Sequence, residues 1–358
     1  MGAVEPARSS VFGPADSKGQ FMNQGVQQMQ ASRRDFLFGT AAVCAAVGGL
    51  LPYAVRASAS ESRAGLPVAI PAPKEHWVPR DGFKLYVQEY PGSGPALVML
   101  HGFPDNLHIF DRIIPYLVAA GRHVVAFDFL GFGKSDKPDG YPYGFDQQRQ
   151  DIEAVVNSLS LGKTIPVAHD AGGVAGLNYI LSDPQRIAGL CLLNTFYGDT
   201  RTLRFPELIE LFSDPDLAAL SREIMSDPKQ MAFLLNFQNK HFQVSATPEQ
   251  KSLFDDVLQP IINENFAQKP SAGPAFVKMT GGLREQLKVN DGRLDALARL
   301  ALPTSIIWGK QDPYLNEGVA QDFSARLRGS RLHLVDAGHW LQIDAPQDVS
   351  KFLLADLD

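Results

Sequence analysis

Beyond about Leu66 the apolar positions fall into short runs with two different periods. KLYVQEY (84–90), ALVML (96–100), HVVAFDF (123–129), TIPVAHD (164–170), GLCLLNTF (189–196), TSIIWG (304–309) and RLHLV (331–335) are brief and rich in β-branched or aromatic residues. Several are apolar throughout, as strands buried on both faces are. Between them, 145–161 (FDQQRQDIEAVVNSLSL) and 173–182 carry the spacing of amphipathic helices. Strand and helix in alternation predict an α/β fold, a mostly parallel central sheet with helices on both faces.

One interval departs from this rhythm. Residues 198–298 contain no strand-like run but several helical patches, among them FPELIELF, QMAFLLNFQNKHF and GRLDALARLAL. About a hundred residues inserted between consecutive strands predict a helical cap over the C-terminal edge of the sheet, where ligands bind in open α/β folds. The expected organisation is a leader over 1–60, a core made of 61–197 and 299–358, and a cap over 198–298.

The leader has its own character. After a polar, aperiodic start, SRRDFLFGTAAVCAAVGGLLPYAVRASAS (32–60) places Arg33 and Arg34 before Phe36 and Leu37, then an apolar Gly/Ala-rich stretch ending at Leu51, then Ala57 and Ala59. This resembles a twin-arginine export signal, with a cleavage site of small residues. It predicts an exported protein, periplasmic or secreted, with no stable membrane anchor after cleavage. The apolar run, about 16 residues, is shorter than the roughly 18 a spanning helix needs. A buried N-terminal helix behind a basic turn is the alternative.

Composition narrows the partners. The 358 residues are 45% apolar and 20% charged, with a formal net charge of −6. Mild acidity without a Lys/Arg-rich run speaks against nucleic acid or anionic lipid and for a small apolar or amphipathic organic substrate. Of the two cysteines, Cys44 lies in the leader and Cys191 in a strand-like run, so no internal disulfide can form in the mature chain. No P-loop, dinucleotide fingerprint or metal-ligand cluster occurs, which predicts an enzyme without a cofactor.

Four motifs fall at the C-terminal ends of the expected strands. VAHDAGG (167–173) follows a strand and opens a helix, with Ala168, Gly172 and Gly173 around Asp170. A nucleophile elbow has the form G-x-Nu-x-G because its backbone turns sharply and packs helix on strand; here it reads A-H-D-A-G. HGFPDN (101–106) can aim the Phe103 N–H at the same point. WGKQDPYL (308–315) supplies Asp312, and DAGHWLQ (336–342) supplies His339. The order nucleophile, acid, histidine is that of α/β-hydrolases. Asp336 is a second carboxylate near the histidine, and Asp136 in GKSDKP reads as a turn residue.

From residue 70 to 356 the sequence resembles the aspartate-nucleophile branch of α/β-hydrolases, which contains epoxide hydrolases and haloalkane dehalogenases. HGFP and HDAGG are similar to epoxide hydrolase motifs. FDFLGFGKSDKPDG (127–140) and an acid after the seventh strand are similar to haloalkane dehalogenases. The absence of G-x-S-x-G argues against a serine esterase. The resemblance implies an alkyl ester formed on Asp170 and hydrolysed by water that His339 deprotonates, with Asp312 orienting the imidazole. The backbone N–H groups of Phe103 and Ala171 would hold the oxyanion.

The leaving group also needs a donor. Dehalogenases place a Trp directly after the nucleophile, but position 171 is Ala, and Trp77, Trp308 and Trp340 all lie outside the cap. Epoxide hydrolases use two cap tyrosines, or a His with a Tyr. The interval 197–298 offers Tyr197 and His241, and that pair puts an epoxide hydrolase giving a vicinal diol first. A haloalkane dehalogenase-like hydrolase comes second, and an exported ligand-binding protein without turnover third. Placement of both side chains far outside the cavity would sink the epoxide reading and promote the ligand-binding one.

Overall fold

The computed structural model describes residues 70–357. The leader, the twin-arginine pattern and Cys44 lie outside the described residues. Eight strands form one sheet: β1 (Lys74–Arg80), β2 (Phe83–Tyr90), β3 (Ser93–Leu100), β4 (Arg122–Phe127), β5 (Thr164–Asp170), β6 (Leu190–Thr195), β7 (Thr304–Gly309) and β8 (Arg331–Val335). Their order is β1-β2-β4-β3-β5-β6-β7-β8. β2 pairs antiparallel with both β1 and β4, and every other pairing is parallel.

Strand β1 has no counterpart among the runs read from the sequence. It is an edge strand, with Lys74, Glu75 and Trp77 exposed and only Val78 and Arg80 buried. Pro79, which cannot donate to a ladder, is tolerated at such an edge. Central strands present the opposite pattern. In β3, Val98 and Leu100 enter the core on one face of the sheet, and Leu97 and Met99 enter the core on the other. A strand covered on both sides therefore reads as an unbroken apolar run.

The two helices read from the sequence form over Phe145–Ser158 and Ala171–Ser182. The first stops three residues earlier than its periodicity suggests, because Ser160 takes a positive φ of 51°. The second starts two residues earlier, directly after Asp170.

Between β6 and β7 the described chain is helical. Glu207–Ser213, Ala218–Ser226, Pro228–Phe242, Pro248–Leu253, Gln259–Ala267, Gly273–Gly281, Leu283–Asp291 and Leu294–Ala298 follow one another, with a π-helical stretch at Phe254–Leu258. Asn265 ties this segment to the loop after β3: its amide donates to the carbonyls of Pro104 (2.6 Å) and Asp105 (2.8 Å) and accepts from the Gly133 N–H (2.8 Å).

The strand order sets the position of the site. From β3 the chain crosses to β4 on one side, and β5 lies on the other, so the loops after β3 and β5 diverge above the C-terminal edge. That is the switch point at which open α/β sheets bind ligands, and HGFP and Asp170 both sit there.

Candidate active site

Asp170 ends β5 with φ 49° and ψ −130°. This is a strained conformation for a residue with a side chain, stored where strand turns abruptly into helix. Small neighbours permit it. A Cβ on Gly102 would overlap the Cβ and carboxylate of Asp170, and one on Gly172 would strike the carbonyls of Leu100 and His101. The corner lifts the Asp170 side chain out of the sheet and leaves 15% of that side chain's surface accessible.

Two backbone donors reach that carboxylate. The Phe103 N–H donates to Oδ1 at 3.3 Å, and the Ala171 N–H also bonds it. Oδ2 lies 3.6 Å from His339 Nε2. On the far side of the ring, His339 Nδ1–H donates to Asp312 Oδ2 at 2.6 Å. Asp170, His339 and Asp312 thus stand in line, brought together from the ends of β5, β8 and β7. Of the two acids, Asp312 is the one in contact with the imidazole, and Asp336 is exposed and paired with Lys310 at 2.6 Å. Asp136 accepts the Lys84 N–H at 2.8 Å as a turn residue, and Cys191 is buried in the core.

Electrostatics give the three groups different characters. Burial pushes the Asp312 carboxyl up, but His339, the Asn194 amide and the Tyr314 N–H outweigh it and hold it below its ordinary value. Asp312 is therefore a stable anion behind the imidazole. Burial opposes charge on His339, yet Asp312, Asp170 and Asp105 raise it above the ordinary histidine value. Asp170 is raised by burial, opposed by His339 and by the N–H groups of Ala171 and Phe103. A carboxylate that is poorly solvated and still ionisable is a competent nucleophile.

Two supporting residues, Asn194 and Asp105, have no role in the motif readings. Asn194, at φ 26°, accepts the Gly309 N–H (2.7 Å) and donates to Asp312 Oδ2 (2.9 Å). It fixes the acid at the β6–β7 junction. Asn194→Ala is expected to cost about 1–3 kcal/mol of stability and, on the ester route proposed below, to slow ester breakdown more than ester formation. A denaturation midpoint and single-turnover rates would measure both, and equal slowing of the two steps would leave Asn194 a role in folding alone. Asp105, one residue beyond the HGFP motif, is buried, accepts the Trp340 indole N–H at 3.0 Å, and is pushed up to about 7 chiefly by burial.

The site opens into a cavity of about 630 Å³, counting the part open to solvent. Its walls are mainly apolar, with Phe103, Phe196, Leu235, Phe242 and Phe276 among them. Such a lining suits an uncharged organic molecule.

Neither expected leaving-group donor lines this cavity. The Tyr197 hydroxyl is buried and donates to Asn178 Oδ1 at 2.9 Å, beneath the helix that follows Asp170. Its phenol found a partner in the core and serves packing. His241 is exposed, and its Nδ1–H donates to the Phe237 carbonyl at 3.1 Å. At about 100° per residue, Leu235, Gln238, Asn239 and Phe242 share the cavity face of helix Pro228–Phe242, while Phe237 and His241 fall on the opposite face. The cavity holds a different tyrosine, Tyr314, whose hydroxyl donates to Glu207 (2.7 Å) and accepts from Gln238 (2.7 Å). Trp340 also lines it, although its indole N–H is spent on Asp105.

The α/β-hydrolase fold family model matches residues 95–346, more than half of the chain. The chain belongs to the α/β-hydrolase family. Its relatives divide among several chemistries. It is 26% identical over 302 residues to bifunctional epoxide hydrolase 2 of Sus scrofa, covering 77% of this chain but 53% of that protein. It is 27% identical over 284 residues to a cis-3-alkyl-4-alkyloxetan-2-one decarboxylase of Shewanella oneidensis, covering 77% and 86%. Over 281 residues it is 28% identical to haloalkane dehalogenase 2 of Mycobacterium bovis, covering 75% and 89%. This α/β-hydrolase is therefore placed in a family, while its reaction must be argued from the site.

Proposed function

We propose that this α/β-hydrolase works through a covalent ester on Asp170, formed by attack at an sp³ carbon of a small apolar or amphipathic substrate. The observation that carries the reading is the line Asp170–His339–Asp312, with Asp170 Oδ1 held by the Phe103 N–H and Oδ2 facing His339 Nε2. Oδ2, which faces His339, attacks. Oδ1 becomes the ester carbonyl oxygen, already bonded by the Phe103 N–H, which with the Ala171 N–H stabilises the oxyanion when water adds. His339 takes the proton of that water, and Asp312 stabilises the imidazolium.

Two reactions fit this scheme. Epoxide hydrolysis to a vicinal diol leaves an alkoxide that needs a proton, and the reading rested on Tyr197 and His241, which bond elsewhere. Haloalkane hydrolysis releases a stable anion and needs hydrogen-bond donors only. With Tyr197 and His241 bonded elsewhere and the Tyr314 hydroxyl given to Glu207, no phenol or cap histidine on the described cavity wall is free to protonate an alkoxide, which favours the second. We also propose, on the twin-arginine pattern of 32–60, that the enzyme acts outside the cytoplasm. No cofactor enters the scheme.

A His339→Gln variant incubated with mixed epoxides and haloalkanes tests the scheme by intact-protein mass. A stoichiometric adduct on Asp170 is expected from at least one substrate. A protein that binds these molecules yet never gains mass would instead be a binding protein of the same fold.

A further inference from the structure

Among the described residues, one polar atom is buried, lacks any partner and belongs to a residue of the cavity wall: Nδ2 of Asn239. The residue is 4% exposed. A native fold rarely leaves a buried amide N–H unpaired, and an exception calls for a ligand that completes it. The neighbouring polar groups are all engaged. Gln238 accepts the Leu208 N–H and donates to Tyr314, Tyr314 donates to Glu207, and Trp340 donates to Asp105. Asn239 is the uncommitted donor. Helix Pro228–Phe242 carries it one turn before Phe242, whose ring packs 4.8 Å from that of His339, so it belongs to the same wall as the groups that surround the reacting atoms.

We propose that Asn239 is the donor that receives the leaving group when Asp170 attacks, an assignment that rests on the ester reading above. In this step Asp170 Oδ2 forms a bond to the substrate carbon, and the carbon–X bond breaks with its electron pair leaving on X. Asn239 N–H hydrogen-bonds to X⁻ and transfers no proton. Water then adds to the ester carbonyl carbon with loss of one proton to His339. The alcohol departs carrying an original Asp170 oxygen, and the carboxylate is restored with one oxygen from water. The sum is R–X and water giving R–OH, H⁺ and X⁻. Because an amide does not act as an acid near neutral pH, Asn239 selects leaving groups that are stable as anions and discriminates against an alkoxide. It is a specificity-determining residue contributed by the inserted helical segment, not by a loop of the sheet.

The test uses Asn239→Leu, similar in branching and without a donor, and Asn239→Asp, which replaces the donor with a negative charge. With 1-chloro-, 1-bromo- and 1-iodoalkanes of one chain length, single-turnover ester formation is expected to slow about 10²-fold in Asn239→Leu. Chloride, the strongest hydrogen-bond acceptor of the three, should lose most, and decay of the ester should stay unchanged. The melting temperature of Asn239→Leu should hold or rise, since an unsatisfied buried donor is removed. Asn239→Asp should slow formation further. A second measurement needs no turnover: in a Trp77→Phe background, bromide should quench Trp340 saturably, and Asn239→Leu should weaken that binding at least about tenfold. If no ester forms with any substrate, the ester reading fails while the bromide titration still decides the role of Asn239. Unchanged ester formation, or bromide affinity equal to the parent's, overturns the assignment.

Discussion

An Asp170→Asn variant is expected to keep its fold and lose turnover by roughly 10⁶-fold, the scale on which removal of a covalent nucleophile acts. The two halves of this expectation come from one fact. Burial raises the Asp170 carboxyl above its ordinary 3.8. A group with a folded pKa above its unfolded one binds more protons in the folded state, so the stability it supports falls as pH rises from 3.8 through the raised value. At neutral pH the ionised carboxylate therefore weighs against folding, and an amide of the same shape relieves that burden. An amide is also a poor nucleophile at carbon. Activity and stability should move in opposite directions. Isotope labelling checks the chemistry behind the loss: a single turnover of the parent enzyme in ¹⁸O-water should label Asp170, because the alcohol oxygen comes from the original carboxylate. Label appearing directly in the product would make Asp170 a base for water, and full activity in the variant would reduce the corner to architecture.

The motifs at strand ends were legible because their chemistry demands particular residues. Asp170 sits at a strained corner that only small neighbours permit, and Gly102 and Gly172 leave a readable trace of that constraint. His339 and Asp312 follow in an order that the topology requires. The central strands were legible too, since burial on both faces writes an unbroken apolar run. Strand β1 was not, because an edge strand half in water has the composition of a loop.

The cavity wall was the least readable part. His241 and Asn239 stand two residues apart on one helix, and residue type alone favours histidine as the functional group. Which of them faces inward depends on how the helix docks, a tertiary property that the pattern QMAFLLNFQNKHF states ambiguously, with apolar residues on more than one side. Phe233 and Phe237 are exposed on it while Gln238 and Asn239 are buried. That mixture, with Gln238 and Asn239 inward beside Leu235 and with Phe233 and Phe237 outward, misleads any reading that assigns only the apolar residues to the core. Tyr197 fails for a related reason: a buried phenol takes whichever acceptor packing supplies, here Asn178.

The order of the two steps in the proposed ester route predicts how pH acts on His339. In the free enzyme burial opposes its charge, and the carboxylates of Asp312, Asp170 and Asp105 together raise the ring above 6.5. A protonated imidazole cannot take a proton from water. Ester formation removes the charge on Asp170, and with it one of the groups that hold the ring protonated, while Asp312 stays in place at 2.6 Å. The imidazole should therefore titrate lower in the ester than in the free enzyme, becoming a base at the moment one is needed. Ester decay is expected to rise with pH along a single ionisation whose midpoint lies below that of His339 in the free enzyme, followed by NMR of the ring. His339→Gln should form the ester at a nearly parental rate and slow its decay by about 10²–10⁴-fold, the range for loss of a general base, with the pH dependence abolished. Decay that is independent of pH in the parent, or that keeps the same pH profile in His339→Gln, would mean that the proton of the attacking water goes elsewhere, and the buried Asp105 carboxyl, pushed up to about 7 beside the same ring, would be the group to replace next.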